Sequence, residues 1–142
     1  MRRLLGNGYE LDDDPARVDR EAVHAFLGSH SYWAAGRTRE RQDELIDASA
    51  RVVGLYHDGT QVGFARVVDC DPAGFVYLAD VYVLGPHRGR GLGLELVREA
   101  VDNGPHAHRR WILHTRDMQA LYAKLGFGVN PRTLERAATT PP

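Results

Sequence analysis

The sequence predicts an α/β fold in which a mixed β-sheet carries helices on both faces. A hairpin is indicated by Asp58-Gly59, a dipeptide typical of tight turns, which lies between two strand-like runs at Arg51–His57 and Gln61–Asp69. The run Phe75–Leu84 is almost entirely apolar and rich in Val and Tyr, as is typical of a central strand covered on both faces. An amphipathic helix separates this run from the next strand, Trp111–His114, and a strand–helix–strand unit makes its two strands parallel. An antiparallel hairpin joined to a parallel pair gives a mixed sheet.

Four helices are predicted around these strands. Asp14 can cap the first helix and Pro15 suits its first position. The apolar residues of its buried face are Val18, Ala22, Phe26 and Leu27, and Gly28 ends it. The second helix runs from Thr38 to about Ser49, the third from about Gly91 to Asn103, and a short fourth one covers Gln119–Leu125.

The composition is that of a single domain spanning residues 1–142, with a tail at about 137–142 that we expect to be disordered. The net charge of −1 gives no support to nucleic-acid binding, which usually requires a basic excess. The single cysteine excludes an internal disulfide, and no apolar run is long enough for a secretory signal or a membrane span. We therefore expect a cytoplasmic protein with no membrane or nucleic-acid partner.

A glycine-rich segment between the central strand and the third helix is the strongest sign of a ligand site. Gly89, Gly91 and Gly93 let backbone N–H groups approach a ligand, and the following helix directs the positive end of its dipole at the same place. Arg88 and Arg90 add positive charge, so the segment is typical of a phosphate or pyrophosphate site. A Walker loop would need Gly-Lys-Ser/Thr, and a Rossmann fingerprint would need a different glycine spacing. A plain strand-to-helix turn remains the alternative.

The pattern Arg-x-x-Gly-x-Gly from Arg88 to Gly93 resembles the pyrophosphate loop of the GNAT superfamily of acyl-CoA N-acyltransferases. A second match is the heptapeptide Leu121–Phe127, Leu-Tyr-Ala-Lys-Leu-Gly-Phe, which is similar to a short helix of that family. The resemblance covers about residues 50–128, whereas residues 8–49 fit the family only in the order of their elements. It implies a GNAT-like single domain. The chain departs from the family at its C-terminal hairpin, because residues 128–136 leave room for only short strands.

The resemblance implies acetyl-CoA as co-substrate and direct attack of an amine on its thioester in a ternary complex, with no metal. Backbone groups of Val81 and Val83 would pair with the pantetheine arm, and the glycine-rich loop would hold the pyrophosphate. The full set of residues assigned to this ligand is Val81, Tyr82, Val83, Arg88, Gly89, Arg90, Gly91, Leu92, Gly93 and Lys124. The alternative is a catalytically silent acyl-CoA-binding module of the same fold.

Two catalytic residues are expected. Tyr122 matches the acid that protonates the departing thiolate in the family. Asp80 is the one ionisable residue other than tyrosine in the central strand, and burial would raise its pKa, which would suit a base. A structural acid paired with an arginine is an equal alternative, and Tyr77 and His114 are further candidates for the base. By strand alternation, Tyr77 and Asp80 differ in parity, so only one of them would share the face of Val81 and Val83.

The acceptor pocket is expected in the loop after the first helix, at His30, Tyr32, Trp33 and Arg37. Aromatic side chains with an arginine would suit a small-molecule or peptide amine that also carries an anionic or planar group. Tyr32 and Trp33 sealing the edge of the core is the alternative. His106-Ala107-His108 has no further ligands nearby in sequence, so no metal site is expected, and a homodimer is one oligomeric option.

Overall fold

A computed structural model describes residues 1–141 and has a six-stranded sheet at its centre, with strands in the order of the chain. All neighbouring strands are antiparallel except the last pair, β5 and β6, which is parallel. The strands are β1 (Arg2–Gly6), β2 (Tyr9–Asp12), β3 (Arg51–His57), β4 (Thr60–Asp69), β5 (Val76–Val83) and β6 (Trp111–Ile112). The predicted α/β class with a mixed sheet is confirmed.

Helices cover both faces of the sheet, as predicted. They are α1 (Arg20–His30), α2 (Arg39–Asp47), α3 (Leu92–Val101) and α4 (Gln119–Ala123). The apolar side of α3 packs with β5 in the larger core, against which α4 also lies, whereas α1 and α2 form a second core with the opposite face. No helix within residues 1–141 is both long and apolar enough to cross a lipid bilayer.

The start and end predicted for the first helix were wrong. Asp14 does cap a helical turn, but this is a 3-10 turn of three residues, Pro15–Arg17, which stops because Val18 is extended. The side chain of Asp19 then accepts a hydrogen bond from the backbone of Ala22 and starts α1. Two capping aspartates five residues apart therefore divide what the sequence pattern presented as one helix, and α1 continues through Gly28.

The N-terminal hairpin of β1 and β2 was missed from the sequence. Its turn contains Asn7 and Gly8, which have φ angles of 53° and 82°. Asn-Gly is the dipeptide that tolerates positive φ at both central positions of a tight hairpin turn, so a recognisable signal was present.

Strand β5 contains an irregularity beside the centre of the sheet. Arg66 of β4 pairs with Ala79, but Phe64 pairs with Tyr82, so two residues of β5 oppose one of β4. Asp80 occupies the extra position with a φ of 55°, a left-handed conformation that Asp adopts more readily than most residues. Such a bulge reverses the alternation of side chains along the strand.

Strand β6 is shorter than predicted. Only Trp111 and Ile112 pair with β5, opposite Val76 and Tyr77, and His114 lies beyond the strand. Among the described residues, the remainder of β5 pairs only with β4. The two parallel strands therefore stop pairing after two residues, and we call the region between the unpaired edge of β5 and the chain after β6 the cleft.

Candidate active site

One wall of the cleft is the free backbone edge of β5. The N–H of Leu84 donates to the carbonyl of Val62 at 2.8 Å, so the backbone N–H and C=O groups of Leu84 are directed at β4. Because backbone direction alternates along a strand, Val83 and Val81 direct their N–H and C=O groups into the cleft. Arg88 Nε donates to the carbonyl oxygen of Val83 at 2.8 Å, which agrees with this direction.

The glycine-rich loop lies at the mouth of the cleft. Gly89 and Gly91 have φ angles of 79° and 76°, and a Cβ built on either would meet no atom within 4 Å. Gly91 is the N-cap of α3 and no side chain caps this helix, so the N–H groups of its first turn are left for another acceptor. Arg88 and Arg90 are exposed beside it. The loop has the open space, the donors and the charge that a pyrophosphate requires.

Tyr122 lies on α4 across from this loop. Its ring packs against the larger core and meets Phe127 edge-on, with ring centroids 5.8 Å apart. Burial raises the pKa of Tyr122 to about 12, so its hydroxyl stays protonated at neutral pH. A Cβ on Gly93 would lie 3.4 Å from Leu121, so α4 packs closely against the start of α3. Lys124 is exposed at the end of α4.

Asp80 is fully engaged by neighbouring donors. Arg66 Nε and Arg37 Nη1 each donate to Oδ2 at 2.8 Å, and Trp33 Nε1 donates to Oδ1 at 2.8 Å. Burial acts to raise the pKa of Asp80, but the charge of Arg66 and the bonds from Arg37 and Trp33 outweigh it and lower that pKa below its ordinary value. The expectation of a raised pKa was therefore wrong, and the alternative arrangement, an acid paired with an arginine, is the one observed.

Tyr77 and His114 form a pair beside Asp80. The Tyr77 hydroxyl is hydrogen-bonded to Nδ1 of His114, and His114 Nε2 lies 3.7 Å from a carboxylate oxygen of Glu135. Burial raises the pKa of Tyr77, and the nearby Tyr32 and Asp80 add to this effect. The parity argument that separated Tyr77 from Asp80 was wrong because the bulge intervenes.

The bulge places both side chains on the face opposite α3. Val76 and Leu78 before it, and Val81 and Val83 after it, all belong to the larger core with α3. Tyr82 belongs to the second core instead. Asp80 meets the loop between α1 and α2 through Trp33 and Arg37.

The aromatic residues of the α1–α2 loop, Tyr32 and Trp33, lie next to Asp80 and Tyr77. Tyr32 and Trp33 meet edge-on with centroids 5.1 Å apart, and they remain 52% and 44% exposed. The guanidinium carbon of Arg116, from the loop after β6, lies 4.4 Å from the Tyr32 ring centre. We call the resulting set the acceptor ring; it consists of Tyr32, Trp33, Arg37, Arg66, Tyr77, Asp80, His114 and Arg116.

The acceptor ring contains three of the four residues predicted for the acceptor pocket. His30 is the exception, because it stacks on Phe26 at 4.8 Å at the end of α1. Arg66 and Arg116 were not predicted. Arg66 is the one charged residue in the buried run Gln61–Val67, which was a usable signal, whereas nothing local distinguishes Arg116 from other loop arginines. Within residues 1–141, no three His, Cys, Asp or Glu side chains are grouped as metal ligands.

Comparison with known proteins identifies the family. A sequence model described as the acetyltransferase (GNAT) family matches residues 16–127. A protein of Gibberella zeae named as an acetyltransferase is 30% identical, over 83% of this chain and 78% of that one. The crystal structure of a GNAT-family protein from Xanthomonas campestris pv. campestris is 36% identical, covers 92% of this chain and 93% of its own, and superposes with a TM-score of 0.82.

A more distant structure shares the fold. Glucosamine-6-phosphate N-acetyltransferase from Arabidopsis thaliana is 16% identical and superposes with a TM-score of 0.65, over 91% of this chain and 97% of its own. At that identity the likeness concerns the fold alone. The family match spans most of the chain, including the cleft and the glycine-rich loop, and the chain therefore belongs to the GNAT acetyltransferase family.

Proposed function

We propose that this chain transfers the acetyl group of acetyl-CoA to a primary amine of a small molecule or peptide. The observation that carries the proposal is the uncapped N-terminus of α3, with its two left-handed glycines, at the mouth of the cleft between β5 and β6. A pyrophosphate at that helix end and an extended thioester arm along the free edge of β5 use both features. Acetyl-CoA has both parts.

The chain's own groups divide the binding of acetyl-CoA between them. Backbone N–H groups from Arg88 to Gly93 bind the pyrophosphate, with Arg88, Arg90 and Lys124 contributing charge. Val81 offers its backbone to the pantetheine amides and Val83 offers its N–H, since the Val83 carbonyl already accepts from Arg88. Leu92 contributes only its backbone, because its side chain is buried in the larger core. Tyr82 makes no direct contact with the ligand, because its side chain is buried in the second core and its backbone groups face Phe64 of β4.

Acetyl-CoA binding is expected to depend on Gly91. Replacing Gly91 by Val places a side chain in the open space of the loop, so acetyl-CoA affinity should fall by at least about tenfold as charge-assisted hydrogen bonds are lost. The readout is the rise in Tm that acetyl-CoA causes in the wild type and in the variant. An undiminished rise would place the pyrophosphate elsewhere.

Gly74→Val is the matched control for backbone strain. Gly74 also has positive φ, 89°, and also has no atom within 4 Å of its Cβ position, but it lies in the β4–β5 turn. Both variants should lose roughly 1–2 kcal/mol of stability, because a left-handed backbone is unfavourable for Val. Only Gly91→Val should lose the acetyl-CoA response.

The reaction needs an acid and a route for one proton. The amine nitrogen attacks the thioester carbon, the C–S bond breaks, and the sulfur leaves with the electron pair. Tyr122 supplies the proton that converts the thiolate to a thiol. The amine loses one proton as its bond to the acetyl carbon forms, and a group on the acceptor side must take it.

The pair Tyr77–His114 is better suited to that second role than Asp80. Both oxygens of Asp80 are occupied by donors and its pKa is lowered, so it is a weak proton acceptor. With Nδ1 of His114 unprotonated, the Tyr77 hydroxyl donates to it and keeps oxygen lone pairs free for an amine N–H. Tyr77 takes the amine proton, directly or through water, as its own proton passes to His114.

His114→Gln is expected to lower kcat/KM about tenfold. This loss is smaller than that usually caused by removing a general base, because water can accept the proton in the variant. The KM for acetyl-CoA should not change, since His114 lies on the acceptor side. His108→Gln changes another exposed histidine and should leave kcat/KM unaltered. Equal activity of the two variants would remove His114 from the proton route.

A panel of amines assayed with acetyl-CoA, with released thiol as the readout, tests the proposed function as a whole. Thiol release that depends on an amine is the expected result. Binding of acetyl-CoA without release from any amine would instead identify an acyl-CoA-binding module without turnover.

A further inference from the structure

The acceptor ring carries more positive than negative charge. Three arginines, Arg37, Arg66 and Arg116, belong to it, and Asp80 is its only carboxylate. The side chains of Asp80 and Arg66 are 1% and 8% exposed, so water screens this pair poorly. The carboxylate of Glu135 stands at the rim, where it is 72% exposed and nearest to His114.

The two arginines beside Asp80 retain unused donors. A guanidinium has five N–H groups, each of which can donate a hydrogen bond. Arg66 uses Nε for Asp80, and no acceptor within residues 1–141 bonds to its two terminal nitrogens. Arg37 uses only Nη1, which donates to Asp80 and to Gln42 Oε1. The N–H groups of these two arginines therefore outnumber the acceptors that the described part of the protein offers them.

Arg116 reaches the ring from a different element. It extends from the loop after β6 over the face of Tyr32, and no carboxylate within residues 1–141 forms an ion pair with it. The planar fork of arginine matches the oxygens of a carboxylate or a phosphate in a bidentate geometry. Arginines from β4, the α1–α2 loop and the β6–α4 loop therefore all contact members of the acceptor ring.

We infer that the acceptor is an amine that also carries an anionic group, a carboxylate or a phosphate, and that Arg116 and the free donors of Arg66 and Arg37 bind this group. The inference rests on the proposed acetyl transfer for the role of the amine. The anionic group would neutralise the excess positive charge of the acceptor ring. The amine of the same molecule would then be held beside Tyr77. Tyr32 and Trp33 supply an apolar wall for the remainder of the molecule.

Matched amines test this inference. The carboxylate arm compares L-phenylalanine with L-phenylalaninamide and phenethylamine, and the phosphate arm compares 2-aminoethyl phosphate with ethanolamine. With acetyl-CoA and thiol release as the readout, we expect the anionic member of one arm to have a kcat/KM at least about tenfold above its neutral partners. The arm that shows the preference distinguishes carboxylate from phosphate. Acetylation of neutral amines at equal or greater kcat/KM would overturn the inference and leave the proposed function intact.

Arg116→Gln should reduce that preference to within about threefold, because one charge-assisted contact is lost. The control is Arg110→Gln, which removes the same charge from the other end of β6, where Arg110 contributes only its backbone carbonyl to Val76. It should keep both the activity and the preference. An unchanged preference in Arg116→Gln would exclude Arg116 from the anion site.

A binding measurement separates the two levels of the proposal. The same five compounds are added to the protein with CoA, and Tm is recorded for the wild type and for Arg116→Gln. We expect only the anionic compounds to raise Tm, and we expect Arg116→Gln to weaken this rise. That result supports the anion site even if no amine is acetylated. The absence of any anion-dependent rise, together with no preference in turnover, overturns it.

Discussion

Tyr122→Phe is expected to lower kcat by roughly 10²-fold while acetyl-CoA affinity stays within a few-fold of the wild type. The substitution keeps the ring that packs on the larger core and against Phe127, and it removes only the hydroxyl proton. Because the pKa of Tyr122 is raised to about 12, the hydroxyl is protonated throughout any ordinary assay range. Tyr122 should therefore impose no alkaline fall in activity below about pH 11.

Tyr56→Phe is the matched control. Burial raises the pKa of Tyr56 to about 12 as well, and its hydroxyl is enclosed without a hydrogen-bond partner on β3. Removing an unsatisfied hydroxyl should leave turnover unchanged and stability equal or higher. Steady-state thiol release at saturating acetyl-CoA compares the two variants. Full activity of Tyr122→Phe would assign the thiolate's proton to water.

Asp80→Asn is expected to reduce stability by about 3–5 kcal/mol, because it leaves Arg66 buried and Arg37 partly buried without their counter-charge. For a domain of this size the loss corresponds to a fall in Tm of roughly 10 °C or more. Asn accepts the left-handed backbone at this position, so the effect reports the charge rather than the bulge. Asp58→Asn, at an exposed residue with a φ of 48°, is the control and should change Tm little.

The pH dependence of stability follows from the same carboxylate. Asp80 has a lowered pKa in the folded state, so its contribution is fully present above the ordinary pKa of 3.8 and is lost as the pH falls through the lower folded value. Wild-type stability should therefore decline below about pH 4 by a component that the Asn variant lacks. Thermal or urea unfolding between pH 3 and 7 measures the difference.

The activity of the folded Asp80→Asn protein shows whether Asp80 positions its neighbours or removes the proton of the amine. Assayed well below its Tm, the variant should keep acetyl-CoA affinity and lose more activity through the KM of the amine than through kcat, since Trp33 and Arg37 lose a shared partner. A stable variant whose kcat alone falls about 10²-fold would instead assign proton removal to Asp80.

The parts of the fold that depend on local pattern could be predicted from the sequence. The βαβ unit follows from an apolar strand, an amphipathic helix and a second strand, and the open loop follows from three glycines between Arg88 and Gly93. An arginine partner for Asp80 was an alternative that the sequence offered, but the identity of the two partners could not be predicted, because Arg66 and Arg37 reach it from 14 and 43 residues away in the chain. The bulge was also hidden, since simple alternation assumes that every residue of β5 has a single partner.

The bulge gives β5 two phases within one strand. Even-numbered side chains face α3 before it and odd-numbered side chains face α3 after it. The proposed acceptor side of the strand is thus built from Tyr77 and Asp80, and the side that faces α3, next to the proposed thioester arm, from Val81 and Val83. Deleting one residue at position 79 or 80 would remove the bulge and restore simple alternation, with Val76, Leu78, Val81 and Val83 still facing α3. The strand can therefore lose this residue without exchanging its core side and its other side, but it would lose the left-handed position from which Asp80 contacts Arg66 and Arg37.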